Sequence, residues 1–192
     1  MKLDWLRIAG CVGGAALLAF ASAKAVASPA AAGAPVAPVA STWQHHKVEF
    51  QYFGVTTLYT CDGLEAQVGR ILQFLGARKD LRVRANDCAP GENTPSHVAS
   101  ITADFYSLTM GADSAAGRPV QAQWSPLELV AQRPNFMGDG DCELIEDMKP
   151  LISQSFSVRG LDYRTDCTPR QVEIGSYRVK GEFLRAISPT PG

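Results

Sequence analysis

Between Cys61 and Cys88 the chain changes from one hydrophobic period to another. In CDGLEAQVGRILQFLGA the apolar residues Leu64, Val68, Ile71, Leu72 and Leu75 recur at the spacing of one helical face. Asp62 followed three residues later by Glu65 predicts a capping box, and Gly76 a left-handed C-terminal cap. Beyond the glycine, Leu81, Val83 and Ala85 alternate with Arg82, Arg84 and Asn86, the two-residue period of a half-buried strand. The same order returns in CELIEDMKPLISQSFSVRGLDYRTDC. There Ile145, Met148, Ile152 and Phe156 form the helical stripe, Asp141 is the expected N-cap, and Leu161, Tyr163 and Thr165 alternate before Cys167. Pro150 interrupts this second stripe and predicts a kink or break, since a proline in a helix interior costs about 3 kcal/mol. Agreement of cysteine position, helix phase and strand phase points to a repeated unit.

The pattern also predicts covalent links. About 14 helical residues rise about 21 Å, and about 7 strand residues returning antiparallel descend about 23 Å. A strand running back under its helix therefore brings Cys88 to the level of Cys61, and likewise Cys167 to Cys142. Closing a loop of this size stabilises a fold by roughly 3.5 kcal/mol in the chain-entropy account.

Around these units lie further strand patterns. Val48, Phe50 and Tyr52 alternate with Lys47, Glu49 and Gln51 ahead of the first helix. Ile101, Ala103 and Phe105 alternate after the turn-rich APGENTP, and VQAQWSPLELVA follows GADSAAGRP, with Ser125-Pro126 suggesting a bulge or an edge. The last strand is QVEIGSYRVKGEFL, with Gly175 as its expected bulge. Each half reads strand, helix, strand, strand. The expected class is α+β: two βαββ-like modules, about 43–115 and 116–192, in a mainly antiparallel sheet with two helices on one face and two disulfides. The sheet is expected to have eight strands, or to be two sheets of four. This arrangement resembles the tandem small-ligand-binding modules of the GyrI-like kind, a likeness of architecture that carries no function with it.

Composition places the chain in a compartment. MKLDWLR, the apolar run IAGCVGGAALLAF and the small-residue sites Ala21-Ser22-Ala23 and Ala25-Val26-Ala27 predict a secretory signal over residues 1–27, too short to span a bilayer in the mature chain. Ile8-Ala9-Gly10-Cys11 has the letters of a lipobox but precedes its apolar run, so Cys11 is expected to leave with the signal. Residues 28–42, rich in Ala and Pro, read as a disordered linker. Four cysteines then remain, Cys61, Cys88, Cys142 and Cys167, an even number suited to a periplasmic or secreted protein. Without residues 1–27, Lys plus Arg falls from 18 to 15 and Asp plus Glu from 19 to 18. The resulting charge of minus three argues against nucleic acid or an anionic membrane as partner.

Candidate chemistry is sparse. Asp139, Asp141 and Glu143 alternate, with Glu146 and Asp147 beyond, but the twelfth position of a calcium loop counted from Asp139 is Pro150. Acids at a helix start are favoured by the helix dipole in any case. His45 and His46 would point to opposite faces of a strand and His97 is remote, so no metal site is expected. There is no Gly-x-Ser-x-Gly elbow, no P-loop and no Cys-x-x-Cys, hence no catalytic residue and no cofactor is assigned. Arg78, Lys79, Arg82 and Arg84 form a basic cluster in which Arg82 and Arg84 share a face fit for an anion or an acidic partner. An exposed aromatic sheet face would instead use Tyr106, Trp124, Tyr163 or Tyr177.

TCDGLEAQV, GARKDLRVRA and GDCEL resemble pieces of a family of exported proteobacterial proteins with a Cys-Asp helix start and a paired downstream cysteine. The resemblance implies export and disulfides, with no activity to transfer. The function expected is a non-enzymatic envelope module that binds a ligand or an envelope protein through the groove between its halves or through its sheet face. The alternatives are an envelope hydrolase using carboxylates from Asp139 to Glu143, and an envelope structural or stress protein.

Overall fold

The computed structural model describes residues 37–88, 94–111, 119–167 and 175–187. The expected signal segment, most of the expected linker and the expected module boundary near residue 115 lie outside them. The order is β1 (Val39–Phe53), α1 (Cys61–Leu75), β2 (Arg82–Asn86), β3 (Val98–Met110), β4 (Val120–Val130), a 3-10 turn (Asp139–Asp141), α2 (Cys142–Asp147), α3 (Lys149–Ser155), β5 (Val158–Asp166) and β6 (Ser176–Ala186). All strands join one antiparallel sheet in the order β2-β3-β1-β4-β6-β5. Among the described residues the sheet has six strands rather than eight, since one strand precedes and two follow each helical stretch.

Both disulfides join the expected partners, with Cα atoms 6.0 Å apart for Cys61 and Cys88 and 5.6 Å apart for Cys142 and Cys167. Helix α1 starts two residues earlier than a cap at Asp62 would allow. Thr60 is its N-cap and accepts a hydrogen bond from the Gly63 N–H, while Glu65 reaches across to accept from the Ala85 N–H of β2. Gly76 ends the helix at φ 111°, in the left-handed region that glycine tolerates without a side-chain clash. The second helical stripe is broken as expected. Met148 separates α2 from α3, and Pro150 falls in the first turn of α3, where its missing N–H leaves no intrahelical bond unmade.

Strand β1 begins at Val39, so the last four residues of the expected linker are strand, with Ser41 and Thr42 buried against β3 and β4. Pro126 creates no bulge: β4 runs unbroken, and β1 leaves β4 after pairing only over Val39–Ser41, so no strand needs a ladder bond from the proline on that side. The irregularity lies in β5, between Arg159 and Asp162. Gly175 precedes β6, and 168–174 lie outside the described residues.

One face of the sheet carries the helices. Val68, Ile71 and Leu72 of α1 share a core with Ile101 and Phe105 of β3, and Leu144, Ile145 and Ile152 with Val179 and Phe183 of β6. The opposite face holds a smaller cluster of Leu108, Ala122, Trp124 and Leu184. The sheet curls around that cluster: Arg159 on β5 lies 4.0 Å over the Trp124 ring and 4.0 Å from the Met110 sulfur on β3, although three strands separate β5 from β3. Tyr177 is buried on the helix side and Tyr163 donates its hydroxyl to the Ile145 carbonyl, so these residues and the buried Trp124 do not form an exposed aromatic platform.

Candidate functional site

Two clusters of charge flank α1, and their chemistry is opposite. The first is acidic. Glu143, at the start of α2 and 7% exposed, accepts from the Val55 N–H at 2.9 Å, the Thr56 N–H at 3.1 Å and the Thr56 hydroxyl at 3.1 Å. Asp147 accepts from the Phe53 N–H at 2.9 Å. Asp141, 4% exposed, accepts from the Tyr59 hydroxyl, from Gln67 Nε2 at 2.7 Å and from the Gly138 N–H at 2.6 Å. Asp141 is thus the residue before α2, but its side chain turns back instead of capping the helix. Every one of these bonds except that to Gly138 ties the second helix to β1, its following loop or α1. The approach is close: a Cβ on Gly140 would collide with the Thr57 side chain.

These carboxylates therefore satisfy backbone amides and hydroxyls that burial would otherwise leave without water. Burial, reinforced by the Asp141 carboxylate, pushes the Tyr59 hydroxyl above its ordinary range, so it remains a donor. Asp139 is exposed and meets only Gln132, with Nε2 at 3.3 Å. Asp147 lines a cleft of about 210 Å³ together with Phe53, Val55, Glu143, Glu146 and Cys167. Burial, then the charges of Glu146 and Glu143, raise its carboxyl to about 6 against the opposing Phe53 N–H.

The second cluster is basic. A cleft of about 480 Å³ opens where the C-terminal end of α1 and the Gly76–Lys79 exit meet Phe136 and the end of β6. Arg70, Arg78, Lys79 and Arg185 line it, with Trp43, Phe74 and Phe136, and among the described residues no carboxylate does. The Phe74 and Phe136 rings meet edge to face at 5.9 Å, and the Arg70 guanidinium lies 5.7 Å over Phe136. Arg78 is fixed between the Tyr106 ring, 3.8 Å away, and Asp80, which it grips through Nε at 2.6 Å and Nη2 at 2.7 Å. Among the described residues Arg70, Lys79 and Arg185 have no carboxylate within salt-bridge distance. A wider depression of about 640 Å³ over β4, β6 and β5 is less selective, since Glu128, Asp162 and Glu182 there face Arg159 and Lys180.

Arg82 and Arg84 share the exposed face of edge strand β2 but do not line the cleft, and Arg84 lies 3.6 Å from Glu65. Of the basic run in the sequence only Arg78 and Lys79 reach it. Arg70 and Arg185 carried no sequence signal, because a polar helix position and a polar strand position become neighbours only through the fold. His45 and His46 face opposite sides, His45 toward Asp104 and His46 toward Ser107. The Ser107 hydroxyl is fully buried and donates to the Ser155 carbonyl, so the His46–Ser107 contact of 3.0 Å is a structural link. Burial, then the neighbouring His45, lowers the His46 pKa.

Among the described residues no group of three or more His, Cys, Asp or Glu side chains is disposed to hold a metal ion, and no helix is long and apolar enough to cross a membrane. Comparison with protein-family models, with curated proteins and with solved structures found no match. The functional reading rests on geometry.

Proposed function

We propose that this chain is an exported, disulfide-stabilised binding module of the cell envelope, built from two βαββ units, which takes its ligand in the basic aromatic cleft. The sheet order β2-β3-β1-β4-β6-β5 supports the two units, since from the centre outward each half runs first strand, third strand, second strand. On that reading Trp43, Arg70 and Arg78 come from one unit and Phe136 and Arg185 from the other, so the cleft is the groove between them. The observation that carries the proposal is the contrast in charge use. Glu143 and Asp141 are occupied by fold-forming hydrogen bonds, whereas Arg70, Lys79 and Arg185 of the cleft have no acidic partner among the described residues.

Native mass spectrometry of the protein purified from the periplasm tests this reading. A ligand released on denaturation from the wild type, and absent when the cleft is filled by Gln73→Trp at an exposed helix position, supports it. The same ligand retained by the Gln73→Trp protein places binding elsewhere.

The hydrolase reading keeps one observation in its favour, the cleft carboxyl of Asp147 with its pKa near 6. A general acid needs a proton at working pH, and a raised carboxyl pKa provides it. Turnover of envelope polysaccharide or peptide that disappears in Asp147→Asn, with unfolding unchanged, would favour that alternative.

A further inference from the structure

We infer that the cleft at the end of α1 selects a small anion joined to a flat apolar ring, such as an aryl sulfonate, aryl phosphate or aryl carboxylate. The inference rests on the reading of this cleft as the binding site and adds the chemistry of its occupant.

Charge gives the first half. The whole chain has a formal net charge of −1, yet the cleft gathers Arg70, Arg78, Lys79 and Arg185 without one acid among the described residues of its lining. Asp80 offsets Arg78, which leaves Arg70, Lys79 and Arg185 as the net positive field. The helix C-terminus beside them, a partial negative pole, is muted because the Leu72 and Gln73 carbonyls accept from the Ala77 and Gly76 N–H groups. Like charges gathered without counter-ions repel one another, and an anion relieves that repulsion.

Shape gives the second half. Trp43, Phe74 and Phe136 supply aromatic surface, and Gly76, Ala77 and Ala186 keep the lining low. A cavity of about 480 Å³ is of the size that holds a molecule of one or two rings. Guanidinium groups held near aromatic faces, as Arg70 is near Phe136, also present their N–H edges for bidentate contact with a planar or tetrahedral oxyanion.

The test uses the mature chain with its disulfides intact and two fluorescent probes of one skeleton, 8-anilinonaphthalene-1-sulfonate and the uncharged N-phenyl-1-naphthylamine. The sulfonate is expected to bind in a saturable 1:1 manner and at least tenfold more tightly than the uncharged probe. Arg70→Gln combined with Arg185→Gln should weaken the sulfonate at least tenfold and leave the uncharged probe unchanged. The control Arg164→Gln, exposed on β5, should alter neither. Inorganic sulfate at the same concentration should not displace the dye, and displacement would overturn the requirement for a ring. Equal affinity for the two probes, with no effect of the double variant, would overturn the anion while leaving the cleft as a binding site. Absence of saturable binding by either probe would overturn this inference and the reading beneath it together.

Discussion

The two charged clusters beside α1 show what a fold does with ionised groups. Along the acidic one, Asp141, Glu143 and Asp147 meet donors at 2.6–3.3 Å, among them the backbone amides of Phe53, Val55, Thr56 and Gly138. In the basic one, Arg70 and Arg78 lie over rings, and among the described residues only Arg78 has an acidic partner. The acidic cluster is a seam: its charges replace a missing ladder between the Phe53–Tyr59 stretch and the second helix. The basic cluster is an opening, with charge held in place but not neutralised. Equal numbers of charged residues would look equivalent in a sequence, and only their partners separate structural charge from charge available to a ligand.

Deleting a seam carboxylate should therefore unfold what deleting a cleft cation does not. Glu143→Ala leaves the Val55 and Thr56 amides and the Thr56 hydroxyl without their acceptor in a half-buried site, and is expected to cost about 3 kcal/mol. Arg70→Gln with Arg185→Gln removes charges that make no ion pair among the described residues; the Arg70 hydrogen bond to Gln67 Oε1 is lost, and stability should change by less than about 1 kcal/mol. Urea unfolding of both proteins measures the difference. Equal losses would abolish the distinction between seam and opening.

The two helix starts offer a smaller test of the same contrast. Helix α1 is capped by the Thr60 hydroxyl, whereas the residue before α2, Asp141, is committed to the seam. Thr60→Ala should cost about 1 kcal/mol, the usual worth of an N-cap. Asp141→Ser, a good cap by local rules, should nevertheless destabilise by about 2 kcal/mol, because serine cannot meet Tyr59, Gln67 and Gly138 together. Circular dichroism melts of the two variants give the order, and a neutral Asp141→Ser would mean that Asp141 is a cap after all.

What the sequence disclosed follows from which forces are local. Periodicity located α1, β2 and β3, cysteine spacing located both bridges, and Pro150 located the break between α2 and α3, since each depends on neighbours along the chain. Thr60 was overlooked in favour of Asp62 because the two differ by half a helical turn and both are good caps. The start of β1 at Val39 was hidden by composition: Ala40 and Ser41 look like linker, and they are strand because β3 and β4 offer unpaired edges. The cleft was illegible for a similar reason, since Arg70, Phe136 and Arg185 share no local signal. The acidic run was visible, but the backbone amides that occupy it are placed by tertiary contacts alone.

The remaining contrast is one of pH, and its sign distinguishes Asp147 from an ordinary seam acid. Its carboxyl lies at about 6 in the folded protein against 3.8 for the free side chain, so between those values the folded chain holds a proton that the unfolded chain has released. Stability from this group is therefore full below about pH 4 and is lost as pH rises through about 6, the reverse of a salt-bridged aspartate. Partial exposure reduces the effect to about 1 kcal/mol. Asp147→Asn retains an oxygen for the Phe53 N–H and cannot ionise, so the stability difference between variant and wild type should grow by about that amount between pH 4 and 7. A difference that stays constant would mean that Asp147 is ionised throughout. The Phe53 bond would then outweigh burial and the repulsion of Glu146 and Glu143, and Asp147 would belong with the seam instead of standing beside it as a proton-holding group in a cleft.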